Sequence, residues 1–281
     1  MADFFQKKIK RVIIIFRDSQ IQPHSEEVAG WLKKKKVQTQ VFSQNFLSDK
    51  VLKKPADFIL VLGGDGTYLS AVRWSHNMSI PILGVNMGSL GFLTVHLKEK
   101  LYECLQQTLD GKMILDQRPL LDVQVGAHKK HALALNDVVI ERGVTSRLID
   151  ISVYLNNRWM YSLKSDGLIV SSATGSTAYN LAAGGPILYP NVQAFVVTPI
   201  CPHSLTHRPV LFPDNQTLKL KIENAAEGAL LTVDGRKQSK LSKSSSVIIK
   251  KSSKLHRSLR TSTENDFIFL KDKLKFFERS G

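Results

Sequence analysis

The 281-residue chain has only two cysteines, Cys104 and Cys201, whose spacing fits neither a disulfide framework nor a metal-binding motif. It also lacks any long apolar run near its start. The apolar run Val12–Phe16 is far shorter than the ~20 residues of a membrane-spanning helix, and it is too short for the apolar region of a signal peptide. We therefore expect a soluble protein of the cytoplasm.

Acidic residues are also scarce: 24 Asp and Glu stand against 39 Lys and Arg, which gives a formal net charge of +15. Such a surface attracts anions, and it suits nucleotides, nucleic acids and anionic membranes equally well. Cations dominate from Arg236 to the last residue, yet no Phe, Trp or Tyr occurs between Arg236 and Arg260. Proteins that bind single-stranded nucleic acids place stacking aromatics among their cations. We interpret this stretch as a solvated basic face or a flexible loop.

Apolar patterning divides the chain into two parts. Up to about Asp110, buried strands such as Arg11–Phe16 and Phe58–Val61 alternate with amphipathic helices, which is typical of a doubly wound α/β domain. After Gly111, short alternating segments such as Ala132–Ile140 predict a β-rich domain. We expect an α/β domain over residues 1–111 and an all-β domain over 112–259. The segment from about 260 to 281 is expected to pack back on the first.

A glycine loop, Leu62–Thr67, follows the strand Phe58–Val61 and contains one charged residue, Asp65. Its three glycines let the backbone turn sharply and approach a ligand closely. Ligands of open parallel sheets bind at the carboxyl ends of the strands, where this loop is expected to lie. A carboxylate at that place suits a phosphorylated ligand with Mg²⁺, or a hydroxyl that must lose a proton. Alternatively, Asp65 only caps the following helix.

A second unusual stretch has no Lys, Arg, Asp or Glu from Gly167 to His207. Within it, Ser171–Asn180 is rich in hydroxyls and predicts a strand, a loop and a helix start, with Ser176 or Thr177 as the N-cap. Such a helix start can bind an anion. A serine- and threonine-rich turn in a β-rich core explains the same residues.

Together these segments resemble the NAD kinase family. Its glycine loop also occurs in diacylglycerol kinases, sphingosine kinases and phosphofructokinases, but seven stretches in the family's order are more specific. Neither G-x-G-x-x-G opening a helix nor a P-loop is present, so the residues alone do not indicate dinucleotide binding. The seven stretches are Gly63–Thr67, Asn86–Thr94, Leu135–Ile140, Ser165–Gly167, Thr174–Tyr179, Gly184–Ile187 and Pro199–His203.

The resemblance implies transfer of the γ-phosphoryl group of ATP to the 2′-hydroxyl of the adenosine ribose of NAD, which gives NADP. It implies a Rossmann-like N-terminal domain and a β-rich C-terminal domain, with the site in the cleft between them. It further implies Mg²⁺ or another divalent metal bound with ATP, and a homodimer or homotetramer. Neither nucleic acid nor a membrane is an expected partner.

The resemblance also implies roles for individual residues. Asp65 matches the catalytic aspartate, with Gly66 beside it, and Asn136 and Asp137 match the pair that holds the adenosine part of NAD. Asp166 matches a carboxylate near the nicotinamide. By spacing, Arg147 and Lys164 match ligand-contacting positions. The segment that lines the dinucleotide pocket is matched by Thr177, Ala178, Tyr179, Asn180, Leu181 and Ala182.

Two departures from the family pattern bear on the site. Ser171-Ser172-Ala173 replaces the usual Ser-Thr-Pro, and Arg236-Lys237-Gln238 follows Asp234-Gly235 where many bacterial members have a glutamine. Either Arg236 or Gln238 can therefore make the corresponding contact. No residue is predicted as a metal ligand.

The mechanistic hypothesis is that Asp65 orients the 2′-hydroxyl and accepts its proton late, because phosphoryl transfer depends mainly on alignment and charge stabilisation. Two rival functions share some of these features. A lipid kinase shares the glycine loop, but it needs an acyl-chain pocket and leaves Thr174–Tyr179 unexplained. A non-enzymatic dinucleotide-binding protein has no need of Asp65.

Overall fold

The computed structural model describes residues 5–47, 56–126, 130–143, 147–225, 228–261, 270–271 and 273–274, and for residue 130 only the backbone. The chain divides into two compact units. The first comprises the described residues up to Gln117 and those from Lys254 onward, and the second comprises those from Arg118 to Ser253. Most of the predicted C-terminal segment 260–281 lies outside the described residues.

The first unit is built on a parallel sheet in the order β2-β1-β3-β4, in which β5 also pairs with β4. Its order reverses between β1 and β3, which is where open α/β sheets bind ligands. The strands are β1 (Arg11–Phe16), β2 (Gln38–Ser43), β3 (Phe58–Leu62), β4 (Ile82–Asn86) and β5 (His96–Leu97). The helices are α1 (Gln22–Lys34), α2 (Asp65–Ser75) and α3 (Leu101–Leu109).

The sequence explains why these strands are central. Every residue of β3 and β4 is buried, as expected for a parallel sheet covered on both faces. Helix α1 begins with a proline in its first turn, buries Val28 and Leu32, and ends in lysines near its free carbonyl groups. Leu97 lies in β5, and α3 begins at Leu101.

The second unit contains two antiparallel sheets and one short helix, α4 (Tyr179–Ala182). The boundaries between the units fall within β6 and β17. The strands are β6 (Ile114–Val125), β7 (Lys130–Ala134), β8 (Asp137–Arg142), β9 (Ile149–Leu155), β10 (Arg158–Ser165), β11 (Gly167–Ser171), β12 (Ala194–Ile200), β13 (Val210–Pro213), β14 (Leu218–Asn224), β15 (Ala229–Val233), β16 (Arg236–Leu241) and β17 (Ser246–Arg260).

One sheet of this unit has the order β13-β12-β11-β8-β15-β16, and the other contains β10, β9, β14 and the first part of β17. Alternating apolar residues from both sheets share one core, which includes Val138, Ile140, Ile151, Leu220 and Ile249. An α/β unit and a β-rich unit are therefore present, and the predicted fold class is confirmed.

Asn156 and Asn157 both have positive φ, at 47° and 65°, and make a tight hairpin between β9 and β10. Two sequence-based predictions have clear outcomes. Ala132–Ile140 is not one strand, because Leu135 and Asn136 separate β7 from β8. From Arg236 to Arg260, the basic stretch is not a flexible loop: it forms β16 and β17, whose inward residues such as Val247 and Ile249 are buried. Among the described residues, no helix has the length and apolar character needed to cross a bilayer.

Candidate active site

The glycine loop joins β3 to α2 in the first unit. Gly63 has no room for a side chain, because a Cβ there would lie 2.6 Å from the hydroxyl oxygen of Thr67. Gly64 is the N-cap of α2, and Asp65 is its first helical residue. No side-chain hydrogen bond caps this helix, so the alternative interpretation of Asp65 as a cap is wrong.

The Asp65 carboxylate is instead held by the loop that follows β4. Its Oδ2 accepts the N–H of Phe92 at 2.8 Å. Its Oδ1 accepts the N–H groups of Leu93 and Thr94, each at 3.1 Å, and the Thr94 hydroxyl at 3.0 Å. Gly91 makes this approach possible, because a Cβ at that position would lie 2.1 Å from Oδ1. The carboxylate is thus fixed in position.

A second layer of hydrogen bonds holds Thr94. The amide of Asn86, the last residue of β4, donates to the Thr94 hydroxyl at 2.8 Å and accepts the N–H of Gly88 at 2.9 Å. Asn86 is 5% exposed and Thr94 is fully buried. Because a carboxylate oxygen accepts about two hydrogen bonds, Oδ2 of Asp65 keeps capacity for a further donor, such as a sugar hydroxyl.

In the second unit, Leu135 and Asn136 form the connection between β7 and β8. The carboxylate of Asp234, directly after β15, accepts the N–H groups of three consecutive residues there. These are Leu135 at 2.9 Å, Asn136 at 2.8 Å and Asp137 at 3.2 Å. Asp234 is 8% exposed, so this is a buried carboxylate satisfied by backbone donors.

Asn136 and Asp137 are both nearly buried, and their side chains are in unusual environments. The Oδ1 atom of Asn136 has no hydrogen-bond partner among the described residues. Burial first, and then the negative charge of Asp234, raises the pKa of Asp137 to about 7. A buried polar atom without a protein partner, beside a perturbed carboxyl group, is typical of a ligand-binding position.

The hydroxyl-rich segment after β11 packs against this connection between β7 and β8. Ser172 donates its N–H to Asn136 O at 2.9 Å and its hydroxyl to Leu135 O at 2.6 Å. Gly175 comes so close that a Cβ would lie 2.1 Å from Asn136 O. Neither Ser176 nor Thr177 caps a helix, so that prediction was wrong: residues 174–177 form a 3₁₀ turn, and α4 begins only at Tyr179. The hydroxyls of this segment stabilise the local backbone, because they donate hydrogen bonds to backbone carbonyl groups.

Comparisons with known proteins identify the family to which the chain belongs. The model of the ATP-NAD kinase N-terminal domain matches residues 23–113, and that of the C-terminal domain matches residues 135–261. The chain belongs to the NAD kinase family. The resemblance inferred from the seven stretches is confirmed, and the chain is a phosphotransferase.

Individual relatives give the same result. The chain is 46% identical over 225 residues to an NAD kinase of Bdellovibrio bacteriovorus, covering 79% of this chain and 74% of that one. It is 38% identical over 269 residues to one of Syntrophotalea carbinolica, covering 91% and 94%.

Two solved structures share the fold. A yeast NADH kinase complexed with NADH has a TM-score of 0.81 at 24% identity, covering 98% of this chain and 90% of that one. An NAD kinase from Archaeoglobus fulgidus in complex with ATP has a TM-score of 0.75 at 23% identity, covering 94% and 98%.

The remaining residues matched to the NAD kinase pattern lie in different environments. Gly66 is in the first turn of α2, where its carbonyl accepts the Ser70 hydroxyl at 3.1 Å. Asp166 forms an ion pair with Arg142, at 2.7 Å between the Nε and Oδ1 atoms. Arg147 and Lys164 are exposed.

The segment from Thr177 to Ala182 is mixed in character. Tyr179 is 42% exposed. Burial first, and then the nearby groups of Glu141, Cys201, Asp137 and Asp166, raises the pKa of Tyr179. Asn180, in contrast, is fully buried: its amide donates to Ser176 O and Pro186 O and accepts the Thr198 hydroxyl. The side-chain amide of Asn180 therefore stabilises the fold. Thr177, Ala178 and Leu181 are partly buried, and Ala182 is exposed.

The turn after Asp234 leaves the choice between Arg236 and Gln238 open. Arg236 lies opposite Val233, whereas Gln238 is the extra residue of a β-bulge, since Leu231 pairs with Ser239 and Thr232 with Lys237.

Sequence reasoning missed the residues that support the site, namely Asn86, Thr94 and Asp234. Two of them belong to a stretch already singled out, Asn86–Thr94, but nothing in its residue types indicates that it surrounds Asp65. Asp234 had a weak signal, because an Asp-Gly turn between two short strands commonly requires positive φ; here φ is 47° and 69°. Its partners lie about a hundred residues earlier in the chain.

Proposed function

We propose that this chain transfers the γ-phosphoryl group of ATP to the 2′-hydroxyl of the adenosine ribose of NAD. In this step the 2′-oxygen forms a bond to the γ-phosphorus, the bond from that phosphorus to the β–γ bridging oxygen breaks, and ADP leaves. The hydroxyl proton passes to a carboxylate and then to solvent. The observation that best supports the proposal is the immobilised Asp65 carboxylate at the end of β3.

Asp65 is the proposed catalytic residue. Three donors on Oδ1 fix the carboxylate, and Oδ2 has capacity left to accept a hydrogen bond from the 2′-hydroxyl. Phosphoryl transfer depends mainly on alignment and charge stabilisation, so a carboxylate that orients the hydroxyl and receives its proton late is sufficient. Gly64 and Gly66, where a Cβ would meet no described atom closer than the Asn86 amide at 4.0 Å, leave the backbone open to close approach by phosphates.

The second unit is proposed to bind NAD. Asn136 and Asp137 hold the adenosine part, and the unsatisfied amide oxygen of Asn136 supports this role. Asp166 is proposed to lie near the nicotinamide, with Arg147 and Lys164 as further contacts. The backbone and side chains from Thr177 to Ala182 line the pocket. Asn180 has a structural part in it, because its amide is occupied within the protein.

A divalent metal, Mg²⁺ or another, is proposed to arrive with ATP. Oδ1 of Asp65 already accepts three donors, and the remaining capacity of Oδ2 is assigned to the 2′-hydroxyl, so the ATP phosphates are proposed to hold the ion. Among the described residues, no group of three or more His, Cys, Asp or Glu is arranged as a metal site. These features suit Mg²⁺, which often binds through substrate phosphates and one or two carboxylates. When bound, the ion neutralises charge that develops on the phosphates.

The quaternary structure and cellular location are further proposals that rest on the family. We propose a homodimer or homotetramer of the cytoplasm, without nucleic-acid or membrane partners. Light scattering coupled to size-exclusion chromatography measures the mass of the assembly. Failure of the protein to shift RNA or DNA at physiological salt is the expected result, because salt weakens any non-specific binding that arises from the +15 net charge.

The decisive test of the catalytic proposal is Asp65→Asn. We expect turnover of NAD to fall by about a thousandfold or more, because the proton acceptor is lost, while NAD still binds. Turnover is measured by coupling NADP formation to an NADP-specific dehydrogenase, and binding by calorimetry without ATP. Removal of divalent metal with EDTA should likewise stop turnover and leave NAD binding unchanged.

A matched control is Asp57→Asn. The Asp57 carboxylate also accepts two backbone N–H groups, those of Lys10 at 2.7 Å and Arg11 at 2.8 Å, but it lies at the opposite end of the parallel sheet from Asp65. We expect this variant to keep wild-type turnover per folded molecule. Asp65→Asn protein that is folded and retains more than about a tenth of wild-type turnover would contradict the catalytic assignment.

A further inference from the structure

The Asp234 carboxylate in the second unit has an unusual set of partners. It accepts hydrogen bonds from the N–H groups of three consecutive residues, Leu135, Asn136 and Asp137, at the point where β7 ends and β8 begins. The Asp234 N–H in turn donates to Asp137 O at 3.0 Å. The two backbone segments are therefore fixed to each other in both directions.

This arrangement decides which carboxyl group of the neighbouring pair carries the charge. A carboxylate that accepts several backbone N–H groups is strongly stabilised as the anion, which favours ionised Asp234. Asp137 is only 5% exposed, and both its burial and the negative charge of Asp234 disfavour ionisation of its own carboxyl group. Below about pH 7 the pair consequently carries one negative charge, and that charge resides on Asp234.

We propose that Asp234 is a positioning residue for NAD binding, which orients Asn136 and Asp137 through their backbone N–H groups and favours the neutral form of the Asp137 carboxyl group. The inference rests on the proposed function, in which these two residues hold the adenosine part. A neutral carboxyl group can both donate and accept a hydrogen bond. It also adds no negative charge beside a dinucleotide that carries a diphosphate.

Other titratable groups near Asp137 are few in the part of the chain that the structure describes. Tyr179 of α4 interacts with Asp137 electrostatically, and its raised pKa keeps the phenol neutral over the range of the test. Glu141 and Arg142 lie further along β8, and Asp166, just before β11, is paired with Arg142. Asp234 is the charged group that raises the pKa of Asp137.

The test measures the dissociation constant of NAD by calorimetry between pH 5.5 and 8.5 without ATP, so that no turnover is required. In the wild-type protein we expect NAD affinity to fall several-fold as pH rises through about 7, where Asp137 loses its proton. In Asp234→Asn we expect about tenfold weaker binding at pH 6, and a fall in affinity that is displaced to lower pH, because the neighbouring negative charge is gone.

The matched control is Asp214→Asn in the same unit. Asp214 is 4% exposed and pairs with Lys251 at 2.7 Å, but it has no resolved effect on Asp137. We expect its pH profile to follow that of the wild-type protein. If Asp234→Asn does not fold, Asp137→Asn serves as the second variant, and its NAD affinity should not change with pH over this range.

Two results overturn the inference in distinguishable ways. A pH profile of Asp234→Asn that is only scaled, with its midpoint unchanged, shows a merely structural role; so does an unchanged pH dependence in Asp137→Asn. Wild-type protein that binds no NAD at any pH refutes the proposed function itself.

Discussion

The substitution Thr94→Val tests whether the loop after β4 positions Asp65. Valine has nearly the shape of threonine, so the packing of this fully buried residue is preserved. The change removes the hydroxyl that donates to Asp65 Oδ1 at 3.0 Å and accepts from the Asn86 amide at 2.8 Å. Three backbone N–H groups still hold the carboxylate.

The expected magnitude follows from these two contacts. A hydrogen bond to a charged group contributes about 1.5–3 kcal/mol, and a buried donor left without its acceptor costs about 1–3 kcal/mol. We expect the free energy of unfolding to fall by about 3 kcal/mol. Because Asp65 keeps its backbone donors but is less tightly oriented, kcat should fall by about tenfold with little change in KM for NAD.

Urea denaturation measures the first effect, and steady-state kinetics at saturating ATP the second. The control is Thr108→Val, a fully buried threonine of α3 whose hydroxyl donates only to the Cys104 carbonyl at 2.7 Å. It should lose about 1 kcal/mol or less and keep its kcat. If Thr94→Val lowers kcat no more than Thr108→Val does, the loop does not position Asp65.

Three further predictions concern the second unit. Gly175→Ala should reduce NAD affinity and stability strongly, measured by calorimetry and urea denaturation, because its Cβ would overlap Asn136 O. Asn180→Ala should destabilise the protein by about 3 kcal/mol in urea, since three buried hydrogen bonds are lost. Finally, Asp137 binds its proton more tightly in the folded than in the unfolded protein, so its contribution to stability falls as pH rises. Relative to Asp137→Asn, wild-type unfolding free energy should decrease by about 4 kcal/mol between pH 4 and 8. An equal pH dependence in both proteins would contradict the burial argument.

Local patterns were sufficient where one segment decides its own structure. The all-apolar runs of β3 and β4 predict buried strands, and three glycines around one charge predict a tight turn. The paired asparagines between β9 and β10 specify a hairpin by their tolerance of positive φ. Errors occurred where tertiary contacts override local preference. Ser176 has the residue type of an N-cap, yet its hydroxyl bonds Ala173 O and accepts the Leu188 N–H.

The amino-acid sequence by itself determined the fold class and the family, because short apolar runs and ordered motifs specify them. It also singled out Asp65 as the proposed catalytic carboxylate. Only the tertiary structure decided how that carboxylate is held, and that a distant Asp234 organises Asn136 and Asp137. The physical reason is that a buried carboxylate needs several donors at once. Those donors come from segments about 30 and about 100 residues away, whose meeting no local pattern encodes.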